Sequence, residues 1–71
     1  MELIAFVPAI MFCSEMQFQC MTVHIERVKP KIELCESAID NVKNEAIRLQ
    51  KLGQLPADLY IFRNECIAVF D

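Results

Sequence analysis

The chain is short of the residues from which most catalytic and ligand-binding motifs are built. Among its 71 residues there is one glycine, Gly53, and one histidine, His24. A single glycine, already suited to ending a helix, leaves no glycine-rich loop to bring backbone N–H groups against a phosphate. The four cysteines include no C-x-x-C pair and there is no second histidine. Structural zinc sites usually draw on two closely spaced ligand pairs, so this spacing argues against one. Basic residues are also few. Seven Lys and Arg stand against ten Asp and Glu, a net charge of -3 with no basic cluster. That argues against a phosphate-tracking nucleic-acid surface, and the negative charge is too weak and dispersed for a DNA mimic. The longest apolar stretch, Leu3 to Cys13, is interrupted by Pro8 and falls well short of the roughly 20 residues that a membrane helix needs.

What the chain has in surplus is apolar side chains, 55% of the total. That is more than one small core can hide. A domain of this size is only marginally stable unless disulfides, a metal or burial against another chain add to it. The four cysteines read as free thiols in a reducing cytoplasm. Glu2 stands where an export signal would be basic, and no small-residue cleavage site follows.

The clearest element is Pro30 to Gly53. Ile32, Cys35, Ile39, Val42, Ala46 and Leu49 recur at three- and four-residue spacings, one stripe of an amphipathic helix. Glu33, Asp40, Asn41, Lys43, Asn44, Arg48 and Lys51 form the polar face. Acidic groups crowd the first half and basic groups the second, opposing the helix dipole. Gly53 suits a left-handed C-cap, with Pro56 behind it. Two starts compete: Pro30 in the first turn, or a capping box from Ser37 to Asp40.

Residues 2–7 read as a buried strand stopped by Pro8. Residues 9–20 carry both helix and strand signals, and a strand with a turn at Ser14-Glu15 is expected. Met21 to Arg27 alternates as a strand with one wet face. Its parity differs from that of Met16, Phe18 and Cys20, which predicts a bulge near Cys20 and Met21. Leu59–Phe62 and Cys66–Phe70 read as a hairpin turning at Arg63-Asn64-Glu65. The expected architecture is α+β, a single β-β-α-β-β domain over residues 1–71 with one amphipathic helix packed on one face of an antiparallel sheet.

Candidates for chemistry are few. Cys20 and His24 share one side of a helix or a strand, so zinc with Cys13, Cys35 or Cys66, or a Cys–His nucleophilic pair, can be drawn. Buried cysteines and a solvated His24 beside Thr22 and Glu26 explain the same residues more simply. Glu33, Glu36 and Asp40 read as a solvated helix face rather than paired catalytic carboxylates. The helix stripe keeps a heptad too briefly and unevenly for a coiled coil and suits packing on the sheet.

The opening Met1-Glu2-Leu3-Ile4, the region Ser14-Glu15-Met16 with Phe18 and Thr22, and the closing stretch from Phe62 to Asp71 resemble the Dmd family. These are small antitoxins of T4-like phages that bind and inhibit host RNase toxins of the RnlA and LsoA type. The resemblance implies a non-catalytic phage protein in the host cytoplasm that occupies a toxin's surface, and it assigns no functional residue.

The sequence therefore predicts a cytoplasmic, non-enzymatic inhibitor with a protein partner, a toxin or other host defence protein. It predicts no cofactor, metal, nucleic acid or membrane. A self-associating scaffold, as a homodimer, is the alternative, with a small zinc- or thiol-dependent protein behind it. One helix covers one sheet face, so the other face should carry a contiguous apolar patch. The aliphatic set Leu3, Ala5, Val7, Leu59, Ile61, Ile67 and Val69 is expected to meet the helix. Ile4, Phe6, Tyr60, Phe62 and Phe70 are expected to meet the partner, since aromatics are enriched at interface centres.

Overall fold

A computed structural model describes residues 1–71. Three strands and one helix follow in the order β1 (Leu3–Ser14), β2 (Gln19–His24), α1 (Ile32–Lys51) and β3 (Leu59–Phe70). The strands form one antiparallel sheet of order β2-β1-β3, with α1 packed on it, an α+β fold. The closing stretch is one continuous strand, not the expected hairpin. Arg63, Asn64 and Glu65 lie inside β3 and pair with Met11, Ile10 and Ala9.

Pro8 does not stop β1 either. Proline is normally kept out of central strands because it cannot donate to the ladder. Here β2 ends just before it. The Pro8 carbonyl accepts the Ile25 N–H at 2.8 Å, and Phe6 then exchanges both backbone bonds with Val28. Two residues on β1 thus span three on the chain opposite, so the missing donor falls at a bulge. The bulge expected near Cys20 and Met21 is absent, since Cys13↔Cys20 and Phe12↔Met21 are consecutive pairs. The parity conflict disappears because Met16 and Phe18 belong to the turn.

Helix α1 ends as its sequence requires. Gly53 takes φ +77°, its N–H donates to the Gln50 carbonyl at 3.0 Å, and the Gln54 N–H donates to the Leu49 carbonyl at 2.9 Å. This pair of bonds is a Schellman cap. Neither expected start is used. The N-cap is Lys31, extended and without a side-chain cap, Pro30 lies outside the helix and Ser37 within it. Along the stripe, Cys35 and Ile39 are buried, and Val42 and Ala46 pack beside them. Ile32, at the unsealed end, is exposed.

The core is small. Ile10 and Phe12 of β1 meet Cys35 and Ile39 of α1, with Phe6, Val23, Ile25, Val28, Leu59 and Ile61 around them. Phe6 is therefore a helix-side residue and not part of an exposed partner surface. Ala5, Val7, Ile67 and Val69, expected under the helix, lie on the opposite face, since their register and alternation set them apart from Ile10 and Phe12. The bulge between Met11 and Phe12, which leaves Phe62 unpaired, reverses the parity of β3 at that point.

All four cysteines are bonded, which corrects the expectation of free thiols. Cys13–Cys20 joins directly opposed residues of β1 and β2, and Cys35–Cys66 ties the first turn of the helix to β3. With no more than nine residues buried, cross-links supply stability that the core cannot, typically about 2–4 kcal/mol each.

Two outcomes follow from this packing. Ile39→Asp would bury an unpaired carboxylate in the core and should leave no cooperative melt by circular dichroism, whereas Asp40→Ala, on the exposed side, should shift the midpoint little. Under graded reductant, alkylation mass spectrometry should show Cys13 and Cys20 labelled before Cys35 and Cys66, because Cys20 is exposed while Cys35 is fully enclosed.

Candidate functional site

No three His, Cys, Asp or Glu side chains converge in a group able to hold a metal ion. His24 stands exposed opposite Ala9, and its neighbour on that face, Cys20, is committed to a disulfide. The cysteines from which a zinc site or a thiolate nucleophile could be drawn are thus held in disulfides.

The helix-free face is built by Ala5, Val7, Ala9, Met11 and Cys13 of β1, flanked by β2 and β3. It is not the contiguous apolar patch that strand patterning predicts. Thr22 and His24 on one side, and Arg63 and Glu65 on the other, set a polar band across its middle. Val7, Ile67 and Val69 lie at one end of this band, and Tyr60 with the Cys13–Cys20 disulfide at the other. Of the residues expected at a partner surface, Ile4 (39% exposed), Tyr60 (43%), Phe62 (61%) and Phe70 (53%) are accessible. They do not gather in one place. Phe70 pairs with Leu3 at the far end of the sheet from Tyr60, and Phe62 sits at the bulge between them.

The most exposed aromatic is one that patterning did not select. Phe18, at 94% exposure, ends the turn between β1 and β2 beside Met16 at 81%. Its φ of 52° puts it in the left-handed region, the only non-glycine residue there. That conformation costs roughly 1–2 kcal/mol for a side chain of this type. Phe18 and Tyr60 flank a shallow concavity of about 480 Å³ that also borders Cys13, Cys20 and Glu15.

The turn is held from three sides. The disulfide closes its base. The Ser14 hydroxyl, 6% exposed, donates to the Asp58 carboxylate at 2.7 Å, and the Met16 N–H donates to the same oxygen at 2.9 Å. The Gln17 N–H donates weakly to the Ser14 hydroxyl at 3.4 Å. Asp58 belongs to the connection before β3, so this carboxylate bolts the turn to the opposite side of the sheet. The connection is itself anchored by the Gln50 side-chain amide, which donates to the Pro56 and Leu59 carbonyls at 3.0 and 2.9 Å.

The Ser14 hydroxyl, and then the Met16 N–H, hold the Asp58 carboxyl below its ordinary range. A group depressed in the folded state stabilises fully above its unfolded pKa, and that contribution is lost as pH falls through the folded value. Asp58→Asn should therefore lower the melting midpoint at neutral pH and flatten its decline on the acid side. Melts recorded across the acid range check this, and a parallel offset at every pH would show that Asp58 acts other than through its charge.

Set against known proteins, the chain matches no family model, no curated protein and no solved structure. Nor is any helix long and apolar enough to cross a membrane.

Proposed function

We propose that the chain is a small non-catalytic protein that binds and inhibits a larger protein, and that the β1–β2 turn is its principal contact. The observation that carries this reading is Phe18. A phenylalanine almost fully in solvent, on a left-handed backbone, serves neither packing nor the turn, for which glycine or asparagine would be better. Strain retained at an exposed residue and locked by a disulfide and a buried hydroxyl is a mark of preorganisation for binding. Aromatic anchors presented rigidly dominate protein interfaces. Tyr60, across the concavity, is the second contact.

Among such inhibitors the Dmd resemblance favours a phage antitoxin acting on an RNase toxin of the RnlA or LsoA type in the host cytoplasm. That resemblance stands on the residues quoted for it alone. A second reading keeps the binding role and moves the compartment. Disulfides persist in oxidising surroundings, so the two cross-links favour a partner met outside a reducing cytoplasm. Rapid acid quenching of producing cells followed by thiol labelling separates them: four labelled cysteines support the cytoplasmic antitoxin, none supports the second reading.

Phe18→Gly should leave the melting midpoint unchanged or higher while weakening binding by about 2 kcal/mol or more. With a purified RnlA-type RNase as probe, the unmodified chain should suppress RNA cleavage and the variant should not. Failure of the unmodified chain to bind or inhibit that toxin rejects the antitoxin assignment, and equal inhibition by both forms rejects the turn as the contact.

A further inference from the structure

The outer edge of β3 is long and, beyond Leu59, has no strand beside it. It runs over 12 residues, Leu59 to Phe70, at the margin of the sheet. No other strand pairs with it, since β3 bonds β1 along its inner side; only its Leu59 end is occupied, the N–H by the Pro56 carbonyl and the carbonyl by the Gln50 side-chain amide, and Asp71 bonds back to Glu2. Edge strands are usually kept short, or carry lysine or proline, to prevent pairing with another chain. β2, the opposite edge, obeys this with six residues, whereas β3 has neither lysine nor proline and exposes Phe62 and Ile67.

The charges on β3 specify what fits that edge. Arg63 and Glu65 flank Asn64 and share the helix-free face, because they pair with Met11 and Ala9 in unbroken register. If a second β3 is laid antiparallel about Asn64, residue 63 of each copy falls opposite residue 65 of the other. Each Arg63 then meets a Glu65, twice by symmetry, in the cross-strand arrangement that opposite charges stabilise. Phe62 of each copy is carried beside the Cys66–Ile67 stretch of its neighbour.

We infer that β3 pairs with β3 of a second copy of this chain, forming a two-fold dimer with a continuous six-stranded antiparallel sheet. The symmetry closes, so no further copy adds. The only edges left are the two short β2 strands. This inference is independent of the inhibitor reading, which uses the turn.

Sedimentation velocity of the intact oxidised chain, over a wide range of concentration, should give twice the 8.2 kDa chain mass. Arg63→Glu alone, or Glu65→Arg alone, sets like charges opposite each other at both positions and should raise the dimer dissociation constant about tenfold or more. The double variant R63E/E65R restores both pairs in reversed sense and should recover the dimer. Both positions are exposed, and circular dichroism confirms that each variant is folded. A chain monomeric at every concentration overturns the inference. A dimer that ignores the single variants, or a double variant no better than the singles, overturns the register about Asn64. A dimer abolished instead by Phe18→Gly moves the contact to the turn and overturns the edge assignment.

Discussion

Pairing of β1 on both of its edges is the constraint from which the rest of the molecule follows. It is the only strand with two neighbours, and its residues Ile10 and Phe12 are one half of a core whose other half is Cys35 and Ile39. A single helix can cover only the middle of one face of so long a strand. Everything away from that crossing is thinly held, which is why the remaining strong links join the periphery back to the centre. Cys35–Cys66 fastens helix to sheet, Cys13–Cys20 fastens the hairpin, and Asp58 fastens the hairpin turn to the connection before β3.

These fastenings are unequal in purpose. The helix-to-sheet disulfide lies in the core and compensates for its size. The hairpin disulfide and the Asp58 carboxylate, in contrast, converge on a four-residue turn, Glu15–Phe18, that buries nothing. A small fold gains little from rigidifying an exposed turn unless the turn's shape matters. If the turn is the contact proposed above, restraint there lowers the ordering cost of an encounter, and the backbone strain at Phe18 would be offset in the complex and not in the free chain.

How far the sequence could be read depended on whether one residue or several decided each feature. The helix was legible because periodicity, charge order and Gly53 all agreed, and its C-terminal bonds are those a glycine cap makes. Proline rules failed at Pro8 because they describe a strand paired on both sides at that residue. Here the neighbouring chain bulges there, a fact of residues 25–28 and not of residue 8. Arg63-Asn64-Glu65 looked like a turn, yet two of its three polar side chains simply face away from the helix. The cysteines read as free thiols because no export signal is visible, and a compartment argument says nothing about which residues the fold brings together. A turn centred at Ser14-Glu15 also separates Cys13 from Cys20, whereas a centre at Met16-Gln17 sets them opposite, and Cys35–Cys66 depends on a helix-to-sheet contact that no local pattern records. Phe18 carried no sequence signal at all, since an aromatic in a strand and an aromatic on a left-handed turn are written the same way.

A different irregularity, the bulge at Phe62, explains why the exposed aromatics of β3 do not share one face. Alternation assigns every β3 residue to a face only if the strand is regular, and the bulge at Phe62 reverses the assignment for half of it. The exposed aromatics consequently divide between two regions with different character. One is the stapled turn, rigid and asymmetric, suited to a dissimilar partner. The other is the β3 edge, whose charge order about Asn64 is complementary to itself. Antiparallel pairing at that edge would place the turn of each copy at opposite ends of the shared sheet, since Tyr60 of one copy then lies near Ala68 of the other. A dimer of that form would present two anchors facing apart. Under the binding role proposed above it would engage two partners, or two sites on one extended partner, with an effective concentration set by a rigid sheet and not by a flexible linker.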